Sequence, residues 1–275
     1  MTCRVLPASA LGALIGAMIV FPVDAAAAAR NALGAWAQAV VPSLGPFMAC
    51  VLLLSPYLEG GMPSRVALAW LGGSPGGARL MQEMALSPRD ALHYAALTGT
   101  MSPMFFLSTL GGWLGNTRAG WMLLCCHIAG AFLAGRCFPL SERRLFPPPQ
   151  KGQASVSGVF RDTAAALGMI GVCMMLGAVA ARMAACAMPF LPPGWMAALQ
   201  CLLEVTAGSK ALIALAPADL LPLLCAACSM GGLSILLQNF AFWHGSGLAL
   251  PRLLLARILH ALIAGSLCLL LTRVL

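Results

Sequence analysis

The chain has 275 residues, of which 60% are hydrophobic and 9% charged, where soluble domains average about 45–50% and about 25%. A soluble core of this size cannot hide that much apolar surface, which excludes a soluble enzyme, a disordered chain and a nucleic-acid binder. The formal net charge of +8 fits the basic cytoplasmic loops of a polytopic membrane protein, so the expected fold class is all-α and the first partner is the lipid bilayer.

A crossing takes about 20 apolar residues. Residues 5–20 read as the first, preceded by Arg4 and followed by an alanine run at 25–29. The same pattern fits a cleaved signal peptide, and a retained helix is the favoured reading. Residues 35–58 follow, with Pro42 and Pro46 expected to interrupt them. Residues 65–86 read as two short arms around Gly72-Gly73-Ser74-Pro75-Gly76-Gly77, a re-entrant hairpin. Residues 90–114 form a crossing broken at 98–103, and residues 119–138 an unbroken one. Residues 141–158, with Arg143, Arg144 and Lys151, read as a linker.

The plan then recurs. Residues 162–188 cross, 195–215 form a second hairpin broken at 204–210, 219–243 cross with a break at 229–232, and 253–271 cross last. This predicts seven crossings plus two hairpins in one membrane domain: an N-terminal helix (1–24), a first repeat (25–140), a cytoplasmic linker (141–159) and a second repeat (160–275). Three crossings per repeat is an odd number, so the second copy is inverted. With Arg4 inside, Arg65, Arg89, Arg136, Arg143, Arg144, Lys151, Arg161 and Arg252 also fall inside, against Arg30, Arg118 and Arg273 outside. That bias places the N-terminus in the cytoplasm.

Rare residue types support the repeat. Pro88 and Asp90 match Pro217 and Asp219 at an offset of 129 residues, Gly77-Ala78-Arg79 matches Gly208-Ser209-Lys210 at 131, and His127 matches His260 at 133.

Broken helices persist in membranes where they line an enclosed polar cavity, because an unsatisfied backbone group in hydrocarbon costs several kcal/mol. The four breaks are therefore expected to meet around one site. Its candidate solute-binding residues are Ser74, Thr98, Thr100, Ser102, Thr206, Ser209 and Ser229 for hydroxyls, with Gly76, Gly77 and Gly231 for close backbone approach. Arg79 and Lys210, at matching positions, would with helix N-termini suit an anionic or strongly polar solute. Structural alternatives are an Arg79–Glu83 pair within a helix and a Lys210–Glu204 pair across the second hairpin. Glu204 and Gln238 complete the candidate set. His127 and His260 are read first as interhelical hydrogen-bonding groups, and Asp90 and Asp219 as helix caps.

Several chemistries are set aside. The eleven cysteines lie mostly in apolar runs as small hydrophobes, and Cys225-x-x-Cys228 has no second pair for a metal. Gly72-Gly73-Ser74-Pro75-Gly76 fits G-x-S-x-G but lacks the strand a nucleophile elbow requires. There is no P-loop motif. No enzyme activity, cofactor or metal is expected.

The breaks resemble, in order and wording, the sporulation integral membrane protein YlbJ family of the nucleoside-recognition (Gate) superfamily. Val41-Pro42-Ser43-Leu44-Gly45-Pro46-Phe47 looks like its FPSLLPF stretch, Ser74-Pro75-Gly76-Gly77-Ala78-Arg79 like Y-P-x-G-A-K, and Thr98 to Phe105 stands at its TNTSNPLF. Glu204 to Lys210 resembles EMTNGCK, Met230-Gly231-Gly232-Leu233-Ser234 resembles FGGLS, and Arg257 to His260 its late R-L-L-H. The resemblance implies a transporter in the bacterial cell membrane, at the outer forespore membrane, moving a dipicolinate-like anion, with a coupling ion and an oligomeric state left open. A nucleoside-like cargo and a non-transporting scaffold for spore-envelope assembly are the competing expectations.

Overall fold

Helices satisfy their backbone groups within their own segment, which suits a chain with so little polar surface. The computed structural model describes residues 2–57, 61–82, 84, 86–141 and 155–274, and all regular structure among them is helical. Five helices are long and apolar enough to cross a membrane: Pro22–Tyr57, Thr117–Arg136, Val156–Ala187, Leu220–Ser246 and Leu250–Val274. The polarity is inside out. Val23, Phe190, Trp195 and Leu262 are exposed, whereas Glu204, Arg257, His127, His260 and Gln238 are buried. Water would penalise that surface and lipid would not.

The chain opens with α1 (Thr2–Val20) and α2 (Pro22–Ala35), separated only at Phe21. The segment 25–34, expected to connect two crossings, is helical. α2 continues through a π-turn (Trp36–Val40) into α3 (Val41–Leu54) and a closing 3-10 turn (Ser55–Tyr57) as one 36-residue run. Pro42 and Pro46 therefore do not interrupt it. The π-turn absorbs the lost donor, with the Val41 N–H reaching Trp36, and Ser43 Oγ donates to the Ala39 carbonyl at 2.6 Å.

The two hairpins fold back as expected. α4 (Met62–Gly72) and α5 (Gly76–Gln82) pack on each other across residues 73–75. α10 (Pro193–Leu203) and α11 (Val205–Leu215) pack on each other across Glu204 alone, a narrower break than 204–210. Eleven residues rise only about 16 Å, half a bilayer core. Each hairpin closes on a glycine at the matched position. A Cβ on Gly77 would lie 3.0 Å from the Ala69 carbonyl, and one on Gly208 would lie 2.4 Å from the Cys201 amide.

The broken helices follow the hairpins. α6 (Pro88–Thr98) unwinds over residues 99–102 and resumes through a π-turn (Phe105–Leu110) into α7 (Gly111–Trp113). α12 (Leu220–Met230) breaks only at Gly231 before α13 (Gly232–Trp243). α8 (Thr117–Arg136) and α14 (Leu250–Val274) end the two halves, and α9 (Val156–Ala187) opens the second, starting inside the expected linker. Most of that linker (142–154), with Arg143, Arg144 and Lys151, lies outside the described residues. α8 and α14 pack on each other, α6 touches both, and α12 touches both. Gly130 makes the α8–α14 crossing tight, since a Cβ there would meet Ala264 Cβ at 2.7 Å.

These approaches separate two kinds of glycine. Gly208→Ala is expected to destabilise the chain by about 1–3 kcal/mol in a denaturation series in detergent, because the arms must part. Gly168→Ala, on exposed α9 where an added methyl group would meet nothing within 4 Å, is expected to be neutral or stabilising by up to about 1 kcal/mol.

Candidate functional site

At the first break, Thr98 and Thr100 no longer have a continuing helix to bond their carbonyls. The Thr100 N–H takes the Thr98 carbonyl at 2.8 Å, and the tip of hairpin α4–α5 supplies the partners of the Thr100 carbonyl. The Ser74 N–H donates to the Thr100 carbonyl at 2.7 Å and the Ser74 hydroxyl donates to the same oxygen at 3.1 Å. Asn239 of α13 donates from Nδ2 to Ser74 Oγ at 3.1 Å, bringing in the other half. The approach requires Gly73, which has φ +62° and would place a Cβ 2.3 Å from the Ser102 amide.

The Met101 N–H donates to His127 Nε2 of α8 at 3.0 Å. That bond makes Nε2 the acceptor, so Nδ1 carries the proton and donates to Ser229 Oγ of α12 at 2.8 Å. His260 of α14 then donates from Nε2 to the His127 carbonyl at 2.8 Å, with the two rings 4.6 Å apart. Both histidines thus act as interhelical hydrogen-bonding groups, which is the role favoured from the sequence.

The second break is held by Arg257 of α14. Its Nη2 donates to the Ser229 carbonyl and its Nε to the Met230 carbonyl at 3.3 Å, capping the C-terminal end of α12. Its Nη1 lies against Gly99 at the first break, where a Cβ would come within 2.5 Å of it, and has no hydrogen-bond partner. Arg257 is 1% exposed, and no carboxylate among the described residues pairs with it. The guanidinium instead sits between the electronegative C-terminal ends of α6 and α12.

The second hairpin is held by its own acid. Glu204 Oε1 accepts the Thr206 N–H at 2.9 Å and Oε2 accepts the Ala207 N–H at 2.6 Å, capping α11 with a buried carboxylate.

Three of these breaks, through Ser74, through Met101 and Ser102 and through Glu204, meet at a cavity of about 40 Å³, enough for two or three waters, and the fourth is represented by the first turn of α13 that follows it. Ser74, Ser102, Glu204, Thr206, Ser234 and Gln238 form its polar wall. Its apolar wall comes from Val40 and Leu44 of the long first helix, Met101 and Phe105 beside the first break, Ile170 and Met174 of α9, and Ile235 of α13. Five of the residues expected at a solute site therefore meet there.

The others are placed nearby or elsewhere. Thr98 Oγ1 bonds the Tyr94 carbonyl of its own helix at 2.7 Å. Thr100 and Ser229 lie in the hydrogen-bonded layer behind the cavity, Gly231 forms the α12–α13 turn at φ +81°, and Ser209 faces Cys228 at 3.9 Å. Gly76 and Gly77 belong to the packing of hairpin α4–α5. Arg79 and Lys210 do not line the cavity. Arg79 pairs with Asp162 of α9 at 2.7 Å, and the Lys210 ammonium sits 4.7 Å from the centroid of the Trp113 ring. Glu204 caps α11 instead of pairing with Lys210, and Glu83 lies outside the described residues. Asp90 accepts from Ser87 and Ser141 hydroxyls at 2.9 and 2.6 Å in the first turn of α6, whereas Asp219 makes no side-chain cap and pairs with Arg273 at 3.2 Å. Cys225 and Cys228 are both free and buried.

Ser234 and Arg257 carry no expectation of a site role from the sequence; Asn239, read beside Gln238 as an amide that reaches the cavity or bonds a neighbouring element, does the latter, donating to Ser74. A lone arginine in the apolar stretch 253–271 is the signal that points to Arg257, since such a charge needs an enclosed polar partner. The chain matches no protein-family model, no curated protein and no solved structure.

The capping geometry predicts a graded response at position 257. Arg257→Met leaves two buried α12 carbonyls without donors and is expected to destabilise the detergent-solubilised protein by about 2–5 kcal/mol in a denaturation series. Arg257→Lys, which keeps the charge and one or two donors, is expected to lose less than half as much.

Proposed function

We propose that the chain is a secondary transporter of a small polar solute, in the membrane of a bacterial cell, built as an inverted repeat with its N-terminus cytoplasmic. The observation that carries this reading is the polar cavity where three helix breaks meet beside the first turn of α13, which follows the fourth. Such breaks at the centre of apolar helices are the usual architecture of solute sites in secondary transporters.

The repeat draws support from the contacts. Each half runs long helix, hairpin, broken helix, final helix. The contacts are reciprocal: α6 packs on α8 and α14, and α12 packs on α14 and α8. The matched residues His127 and His260 face each other, as they would across a two-fold axis. Gly73 presses the first hairpin onto the first break, and Gly232, whose Cβ would lie 2.7 Å from the Cys201 carbonyl, does the same in the second half. The resemblance to the YlbJ family points to transport as well. Its anionic cargo draws no support from the cavity wall, because the two cations expected there are engaged elsewhere.

The two short hairpins act as the gates in this reading. Each has its tip at the cavity and its arms on one side only, so withdrawing one tip opens the site in one direction. Purified protein in liposomes is expected to accumulate at least one solute from a radiolabelled panel of nucleosides, pyridine carboxylates and small amines or guanidines. Gln238→Leu, which fills the cavity and removes an amide, is expected to lower that uptake at least tenfold at unchanged reconstitution. Absence of uptake for every class would favour the scaffold reading.

A further inference from the structure

The cavity wall has a definite electrical character. Its one charged side chain is Glu204, and its remaining polar groups are neutral hydroxyls and one amide. The cations nearest in the fold are engaged elsewhere: Arg79 with Asp162, Lys210 over Trp113, and Arg257 on the end of α12. A carboxylate in the cavity would therefore meet another carboxylate with no positive side chain on the wall to balance it, whereas a cation would find its counter-charge in place.

The hydrogen-bonding capacity left on Glu204 and Ser74 has the same sense, while the other hydroxyls and the Gln238 amide of the wall can donate or accept. The Glu204 carboxylate accepts two backbone N–H groups and a bond from the Thr206 side chain, and of its four lone-pair sites one is left. The Ser74 hydroxyl already donates to the Thr100 carbonyl and accepts from Asn239, so its remaining capacity is also that of an acceptor. Ser234 is 4% exposed, lines the cavity, and its hydroxyl has no partner at all. A buried polar group left unpaired is costly, so a ligand that bonds it recovers that cost. The rest of the wall is apolar and suits the uncharged surface of a small organic ion better than a strongly hydrated one.

We infer that the cavity binds a small organic cation bearing N–H donors, of guanidinium or ammonium type, with its charge on Glu204 and a donor on Ser234. This rests on the transporter reading and sets its substrate class, against the anion that the family resemblance implies. Arg257 stays outside the binding step: it serves the two helix ends, and its charge is matched there by carbonyl oxygens.

The test uses the full-length protein in liposomes with three radiolabelled probes: guanidinium, uridine and dipicolinate. Guanidinium is expected to be taken up at least tenfold faster than dipicolinate. Glu204→Gln, which keeps a capping oxygen and removes the charge, is expected to lower guanidinium uptake at least tenfold, and Ser234→Ala about threefold or more. Arg79→Ala is expected to leave it within twofold. Glu204→Asp, retaining the charge, separates loss of binding from loss of the α11 cap: it is expected to retain more guanidinium uptake than Glu204→Gln. Preferential dipicolinate or uridine uptake, or guanidinium uptake indifferent to Glu204→Gln, overturns the cation assignment and leaves transport standing. No uptake of any probe overturns both.

Discussion

The structure depends on how backbone groups are satisfied where helices stop inside an apolar envelope. An intact helix settles this within itself, but a break leaves carbonyls and amides that water cannot reach. In this chain the break after α6 is completed by Ser74 and the break after α12 by Arg257, each from another element, while the second hairpin is completed by its own Glu204. The breaks must therefore lie together. The polar cavity is the space that remains where they meet.

Two opposite helix-end charges divide the labour. The guanidinium of Arg257 lies at C-terminal ends, where the macrodipole is negative, and the carboxylate of Glu204 lies at the N-terminal end of α11, where it is positive. Each is buried without an oppositely charged side chain bonded to it among the described residues, and each is stabilised by oriented peptide groups. They differ in exposure to the cavity. Glu204 forms part of its wall, while Arg257 is sealed behind the first break. The histidine pair works with Arg257: His127 links the first break to Ser229, whose own carbonyl Arg257 holds, so the two broken helices share one continuous polar layer. Movement of either tip would disturb that layer, which suits a site whose two halves respond to one ligand.

Much of this was legible in the residues. Gly-Gly-Ser-Pro-Gly-Gly and the Thr-Gly-Thr-Met-Ser-Pro run cannot continue a helix, so their breaks could be placed from composition alone. Gly77 and Gly208 stand out in the sequence as matched glycines suited to close backbone approach, but what they approach is the other arm of their own hairpin and not a solute. What was hidden came from side-chain reach. Arg79 and Lys210 lie beside breaks in sequence, yet long flexible stems carry their charges to Asp162 and to the Trp113 ring, contacts that spacing does not encode. Arg257 is far in sequence from the break it caps and meets it only because α14 packs on α12. Pro42 and Pro46 looked like interruptions because a π-turn, which re-registers the hydrogen bonds around them, has no strong sequence signature.

If the chain transports, the breaks enclose a space that water and solute reach from one side at a time. A single cysteine at position 234, in a chain with its native cysteines replaced, tests this in sealed vesicles of known orientation. A membrane-impermeant thiol reagent is expected to modify Ser234→Cys, and bound solute to slow that modification. A thiol at 234 that stays unmodified from both faces, while a control cysteine in an exposed loop reacts, would show that the cavity is closed packing and not a solute site.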